Sequence, residues 1–107
     1  MASNTLSGDL ISERYGAALY DLASEKKCID DILNDFELVQ KALKESSELR
    51  QVIKSPLVNS DEKLNILLKL FSKANLHNLT TTFLKVLDNN KRISNIASII
   101  LQFKKIN

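Results

Sequence analysis

Apolar residues recur along this chain every three or four positions, the period at which side chains share one face of an α-helix. Ile11, Tyr15, Ala18, Leu19 and Leu22 set the rhythm first and predict a helix from about Leu10 to Lys26. Ile29, Ile32, Leu33, Phe36, Val39 and Leu43 form a second stripe, predicting a helix from Ile29 to Glu45. Asp30 and Asp31 suit its start, and Glu37 with Lys41 has the spacing of a supportive pair. A short third helix, Ser47 to Lys54, turns Leu49, Val52 and Ile53 inward. It is expected to stop before Pro56, because the residue preceding a proline is pushed out of helical geometry.

The fourth helix begins after Asn59, a capping residue with Glu62 three positions on, and runs through Leu64, Leu67, Leu68 and Phe71. Ile66 and Leu70 widen its apolar stripe. A fifth spans about Asn78 to Asn89, with Leu79, Phe83, Val86 and Leu87 on one side and Asn89 and Asn90 as terminators. The sixth spans Ser94 to Lys105, with Ile96, Ala97, Ile100 and Phe103 in phase and Lys104 and Lys105 at its carbonyl end. Residues 1–9 are polar and small and are expected to form a flexible lead-in to one domain over residues 10–107. The fold class predicted is all-α, a compact bundle of six short helices. Because the sequence ends directly after the sixth helical pattern, a continuation beyond it is expected.

Composition supports this picture. Two glycines and one proline among 107 residues are too few to turn the corners of a sheet built from hairpins. The net charge is only +2, from 15 basic and 13 acidic residues interleaved along the chain, so no surface is reserved for phosphates. Lys91, Arg92, Lys104 and Lys105 could gather at a basic corner, but no aromatic platform is interleaved with them and Asp88 is close by. The single cysteine, Cys28, cannot form an internal disulfide, and a reducing compartment fits best. The start lacks the basic and apolar regions of a signal peptide, and no apolar stretch approaches the roughly 20 residues that span a bilayer.

Catalytic chemistry finds no anchor. His77 and Cys28 lie far apart in the chain and have no further ligands near them, so no metal or other cofactor is expected; His77 reads as a solvated residue beside the fifth helix. Neither Ser72 nor Ser94 belongs to a nucleophile motif, and two glycines cannot build a phosphate cradle. Asp30 and Asp31 diverge by about 100° on a helix, which suits a helix start better than acid–base work.

What the first helix does have is surplus apolar surface. Tyr15, Leu22, Ile11 and Ala18 cluster on the helical wheel, and Leu19, Ala23, Gly16 and Tyr20 extend that face to an arc of about 200°, where a one-sided helix needs little more than ~100°. Two partners on adjacent faces account for the width, namely the domain's own core and a foreign helix, which the small residues Gly16, Ala17, Ala18 and Ala23 would let approach closely. The fifth helix shows a milder version. A first helix simply central to the core accounts for the same width.

Three blocks then carry a resemblance to a known family. RYGAALYDLA (Arg14 to Ala23) resembles the opening helix of ATP synthase delta subunits and their mitochondrial counterpart, the oligomycin-sensitivity-conferral protein. SPLVNSDEK (Ser55 to Lys63) is similar to that family's proline turn, and TFLKVLDNNKRI (Thr82 to Ile93) to its fifth-helix element. In order and at family-like distances, the blocks cover about Leu6 to Phe103. The chain departs from the pattern in three places. Gly16 stands for the usual Ala, loosening the helix by up to ~1 kcal/mol. Thr81 or Thr82 stands where Asn is common, and Lys91 replaces the Gly that often ends the fifth helix, leaving Asn90 as the expected left-handed residue.

The resemblance implies a non-catalytic stator (peripheral-stalk) subunit of an F-type ATP synthase, supporting proton-driven ATP synthesis. It implies that the domain receives the N-terminal amphipathic helix of an alpha subunit in a groove between the first and fifth helices. Ile11, Tyr15, Ala18 and Leu22 would form one wall, with Tyr15 as anchor, and Leu79, Thr82, Phe83 and Val86 the other. Core burial is the rival account of Leu22 and Phe83. Stalk b subunits would attach through a C-terminal part that this chain lacks. The setting implied is peripheral, at the cytoplasmic face of a bacterial inner membrane or the matrix side in mitochondria, with neither nucleic acid nor membrane insertion involved. Two other readings stay open on the sequence: an adaptor for some other amphipathic helix, which a mixed second domain after Asn107 would disfavour, and a helical nucleic-acid-binding regulator, which steeply salt-dependent DNA binding would favour.

Overall fold

Helices form over every segment where the apolar rhythm predicts one. The computed structural model describes the backbone of residues 3–106 and the side chains of residues 10–106. In chain order the helices are α1 (Ser3–Glu25), α2 (Ile29–Glu45), α3 (Ser47–Lys54), α4 (Ser60–Leu70), α5 (Asn78–Asn89) and α6 (Ile96–Ile106), with a turn of 3-10 helix over Ile93–Asn95 leading into the last. The described residues contain no strand. The fold is an all-α bundle.

The first helix is longer than its apolar stripe. It begins at Ser3, seven residues before the expected start, because residues 3–9 hold no proline and Gly8 costs only about 1 kcal/mol. Residues 1–2 of the expected lead-in, and the side chains of residues 3–9, lie outside the described residues. The sixth helix begins later than expected, at Ile96, since the 3-10 turn occupies the preceding residues.

The core is built around α6, whose Ile96, Ile99, Ile100 and Phe103 are fully buried. Phe103 meets Phe36 of α2 edge-on, with ring centroids 5.2 Å apart, a geometry that aromatic quadrupoles favour. The most extensive pairing is α1 along α6. Gly16 makes it possible, because a Cβ there would lie 3.1 Å from both Cβ of Gln102 and the backbone N of Phe103. The expectation that Gly16 helps to admit a foreign helix is therefore corrected. Gly16 admits the chain's own sixth helix, Ala23 is fully buried, and only Ala17 and Ala18 of these small residues face outward.

Local chemistry sets the helix ends. Ser46 caps α3, its hydroxyl accepting from the backbone N–H of Leu49 at 3.1 Å. Ser55 is extended before Pro56 and ends the same helix as expected. The capping box at Asn59 does not form: Asn59 occupies the cap position with extended backbone, but its side chain makes no capping bond. Asn59, Asp61 and Glu62 are all exposed, so water can satisfy the free donors. The expected Glu37–Lys41 pair is replaced by a tie between helices, in which Nζ of Lys104 on α6 lies 3.0 Å from the Glu37 carboxylate and also donates to Gln40.

Helices α1 and α5 end in the same way. Lys27 and Lys91 take left-handed backbone, with φ of 57° and 58°. After α1 the N–H of Cys28 donates to the Ala23 carbonyl, and after α5 the N–H of Arg92 donates to that of Leu87. The left-handed residue is thus Lys91 and not Asn90, whose φ is −96°. The reason is register: α5 extends to Asn89, Asn90 becomes the half-in cap, and the next residue must make the reversal.

Candidate functional site

The wide apolar arc of α1 divides into two faces. Gly16, Leu19 and Ala23 are buried inside the bundle, and Tyr20 tilts against Phe103 with centroids 5.4 Å apart. On the other face, Ala18 and Leu22 are exposed, Leu22 to 38%, while Ile11 and Tyr15 are half-buried. This second face follows i, i+4, i+7, i+11 spacing and so runs as a straight stripe along the helix.

The fifth helix divides in the same way. Leu79 and Phe83 are buried, whereas Thr82 and Val86 are exposed, Val86 to 43%. The two stripes meet through side chains. The Tyr15 ring stands edge-on to Phe83 with centroids 6.3 Å apart, and the Tyr15 hydroxyl accepts from Nδ2 of Asn90 at 2.9 Å. Among the described residues α1 and α5 are not closely packed backbone to backbone, so these two contacts hold them as neighbours across an apolar seam. Of the two residues for which core burial is the rival account, Phe83 is buried and Leu22 is exposed. The Phe83 ring lies between those of Tyr15 and Phe36, with the Phe36 centroid at 6.5 Å.

Two contributors escaped the sequence reading. Asn90, read as a helix terminator, orients the Tyr15 hydroxyl from 75 positions away, and no local signal announces such a pairing. Asp35 left a trace that could have been read. It falls in phase with Ile32, Phe36 and Val39 on the buried stripe of α2, where an unpaired carboxylate would be costly. Its Oδ2 accepts from the backbone N–H of His77 at 2.8 Å and from the Thr80 hydroxyl at 2.6 Å, so it fastens the start of α5 to α2.

His77 is likewise more than a solvated residue. It is the N-cap of α5, and its Nδ1 accepts from the backbone N–H of Leu79 at 3.0 Å. The ring is engaged because an N-cap acceptor is needed where α5 begins and no Ser, Thr, Asp or Asn stands at that position.

Chemically, this seam can bury apolar side chains and offer a hydroxyl at its rim. The described residues hold no cluster of three His, Cys, Asp or Glu side chains arranged for a metal, and no described helix is long and apolar enough to cross a membrane.

Comparison with known proteins gives a consistent result. A family model described as ATP synthase delta (OSCP) subunit matches residues 11–107. Similar proteins include the "ATP synthase subunit delta" of Nitrobacter winogradskyi, 36% identical over 96 residues, which is 90% of this chain and 52% of that protein. That of Carboxydothermus hydrogenoformans is 37% identical over 93 residues, covering 87% of this chain and 51% of the relative. That of Bradyrhizobium diazoefficiens is 29% identical over 106 residues, covering 99% and 57%. The chain spans about half the length of the curated relatives it matches.

Proposed function

We propose a stator role for this chain, which belongs to the ATP synthase delta (OSCP) subunit family. It is a non-catalytic peripheral-stalk component that grips the catalytic head by binding the N-terminal amphipathic helix of an alpha subunit. The binding site is the seam between α1 and α5. Ile11, Tyr15, Ala18 and Leu22 line one wall, Thr82 and Val86 the other, and Leu79 and Phe83 the floor between them. The observation that carries this reading is the apolar stripe Ala18, Leu22 and Val86 left uncovered beside the Tyr15–Phe83 contact.

Physical function follows from that chemistry. A stator must resist the torque that turns the central rotor, so its join to the head has to release slowly. Burial of apolar surface gives such a join, and its strength does not fall with salt as a charged contact would. Ala18 contributes by being small, allowing a partner helix close to α1, and Tyr15 supplies a rigid contact with a hydroxyl already oriented by Asn90. Attachment to the stalk b subunits is assigned to the part of the relatives' length that this chain does not span. The assembled complex carries the protein as a peripheral subunit at the cytoplasmic face of a bacterial inner membrane.

The test is calorimetric titration with a peptide from the alpha subunit's N-terminus, on the parent and on Ala18→Trp. Binding by the parent and a loss of about 30-fold or more in the variant is expected, because the indole fills the seam; that loss is worth ~2 kcal/mol. Equal binding by both, with the variant's helicity unchanged, overturns this placement of the site.

A further inference from the structure

A second apolar groove lies where the end of α2 meets α3 and α4, and no residue of α1 or α5 lines it. Leu49 and Val52 of α3 face Ile66 and Leu70 of α4 across an open volume of about 500 Å³. Helix α4 satisfies the core with Leu64 and Leu67, and Phe71 just beyond it is buried too. Ile66 and Leu70, one turn apart, are left over, with 38% and 52% of their surface exposed. The apolar arc of α4 is therefore wider than its own packing needs.

Charge around the groove has one sign. Glu45 and Glu48 line it, and no cation does; Lys69, beside Leu70 in sequence, is not among the lining residues. Arg50 is turned elsewhere, its guanidinium donating to the carbonyl oxygens of Leu43 and Lys44 at the end of α2. The ion pair found among the described residues is Lys104 with Glu37, so Glu45 and Glu48 have no cationic partner there. Glu48 has a local explanation, since it sits in the first turn of α3 where the helix dipole favours an anion. Glu45 has none. It is the last residue of α2, at a carbonyl end that favours a cation.

From this combination we infer that the groove formed by α2, α3 and α4 docks an amphipathic helix whose apolar stripe is flanked by lysine or arginine. Side chains at i, i+3 and i+4 of such a helix settle between Val52 and Leu70, and its flanking cations meet Glu45 and Glu48. A second copy of this chain is disfavoured, because a two-fold contact through the groove would set these carboxylates against their own copies. The inference does not rest on the α1–α5 seam.

An NMR titration tests it. The isotope-labelled chain is titrated with a short designed helical peptide carrying a leucine stripe flanked by lysines, and with the same peptide carrying glutamates in their place. The lysine peptide is expected to move the amide signals of Leu49, Ile66 and Leu70, with an affinity that falls as salt is raised. Glu45→Lys/Glu48→Lys is expected to bind it about tenfold or more weakly, and Ala18→Trp to leave those shifts in place. If the charge reversal disturbs the fold, Glu45→Gln/Glu48→Gln carries the same expectation in smaller degree. Equal binding of the two peptides, shifts confined to other helices, undiminished binding by the charge variants, or dimerisation of the chain through this groove in sedimentation would each overturn the inference.

Discussion

The two faces of α1 are built from similar residues and respond to opposite demands. Inside, Leu19 and Ala23 are buried, and Gly16 lies against α6 at a distance that one added carbon would violate. Outside, Ala18 and Leu22 continue the same small-and-apolar composition and are exposed. Composition cannot separate the faces; only the neighbour's position does. A small residue on the inner face is a packing requirement, whereas one on the outer face leaves room for something else.

Enlarging the inner face should give the largest effect. Gly16→Leu drives a branched side chain into the Gln102–Phe103 backbone, and overpacking at rigid main chain costs about 3 kcal/mol. Urea denaturation should show the midpoint fall accordingly, while Ala18→Leu, the matching change outside, should move it by no more than ~0.5 kcal/mol. If the two substitutions cost the same, the two faces are equally packed.

The start of α5 is fastened to α2 through Asp35. Removing the carboxylate in Asp35→Ala strands the His77 N–H and the Thr80 hydroxyl, at a cost of about 2 kcal/mol. Amide exchange at the start of α5 should rise more than exchange in α1 or α6. Uniform acceleration over all helices would mean that Asp35 supports the whole bundle and has no special hold on α5.

On the outer face the same scale of energy should appear in binding and hardly in stability. Val86→Asp places a charge in the seam, so affinity for the alpha-subunit peptide should fall at least tenfold, which is ~1.4 kcal/mol. Stability should stay within ~0.5 kcal/mol, since Val86 is already exposed to 43%. A matching loss of stability would identify Val86 as a core residue.

The inner face also contains an imperfection that can be repaired. The Ser12 hydroxyl is fully buried with no hydrogen-bond partner among the described residues. Ser12→Ala removes the stranded group and improves helix propensity, so thermal unfolding should show a gain of about 1 kcal/mol. A loss would point to an ordered water on that hydroxyl.

This division also marks how far the sequence could be read. All six helices were legible because their apolar period is nearly uninterrupted, and α2, α3 and α5 were legible to the residue. The ends of α1 and α6 were not, since nothing in residues 3–9 stops a helix and nothing in Ile93–Asn95 announces a 3-10 turn. For the candidate site, the width of the α1 arc was visible in Tyr15, Ala18 and Leu22. Which part of that arc α6 would cover was not, because Gly16 and Ala18 look alike until a second helix is placed beside them. Contacts such as Asp35 to Thr80 and Asn90 to Tyr15 join residues 45 and 75 positions apart and have no local pattern.

The smallest effect separates the family's helix ending from this chain's version of it. Lys91 holds left-handed backbone, where its Cβ crowds the following carbonyl at a cost of about 1 kcal/mol that glycine does not incur. Glycine also has more freedom to lose on folding, which returns part of the difference, so Lys91→Gly should stabilise the chain by ~0.5 kcal/mol. The same substitution at Lys27, which closes α1 with the same hydrogen-bond pattern, should give a gain of similar size. Thermal denaturation of the two single variants and the double variant decides the matter, because the sites lie on different helices and their effects should add. A gain at Lys27 without one at Lys91 would show that the lysine side chain at the end of α5 makes a favourable contact outweighing its backbone strain, and would make the terminus beside Asn90 and Tyr15 part of the seam's rim.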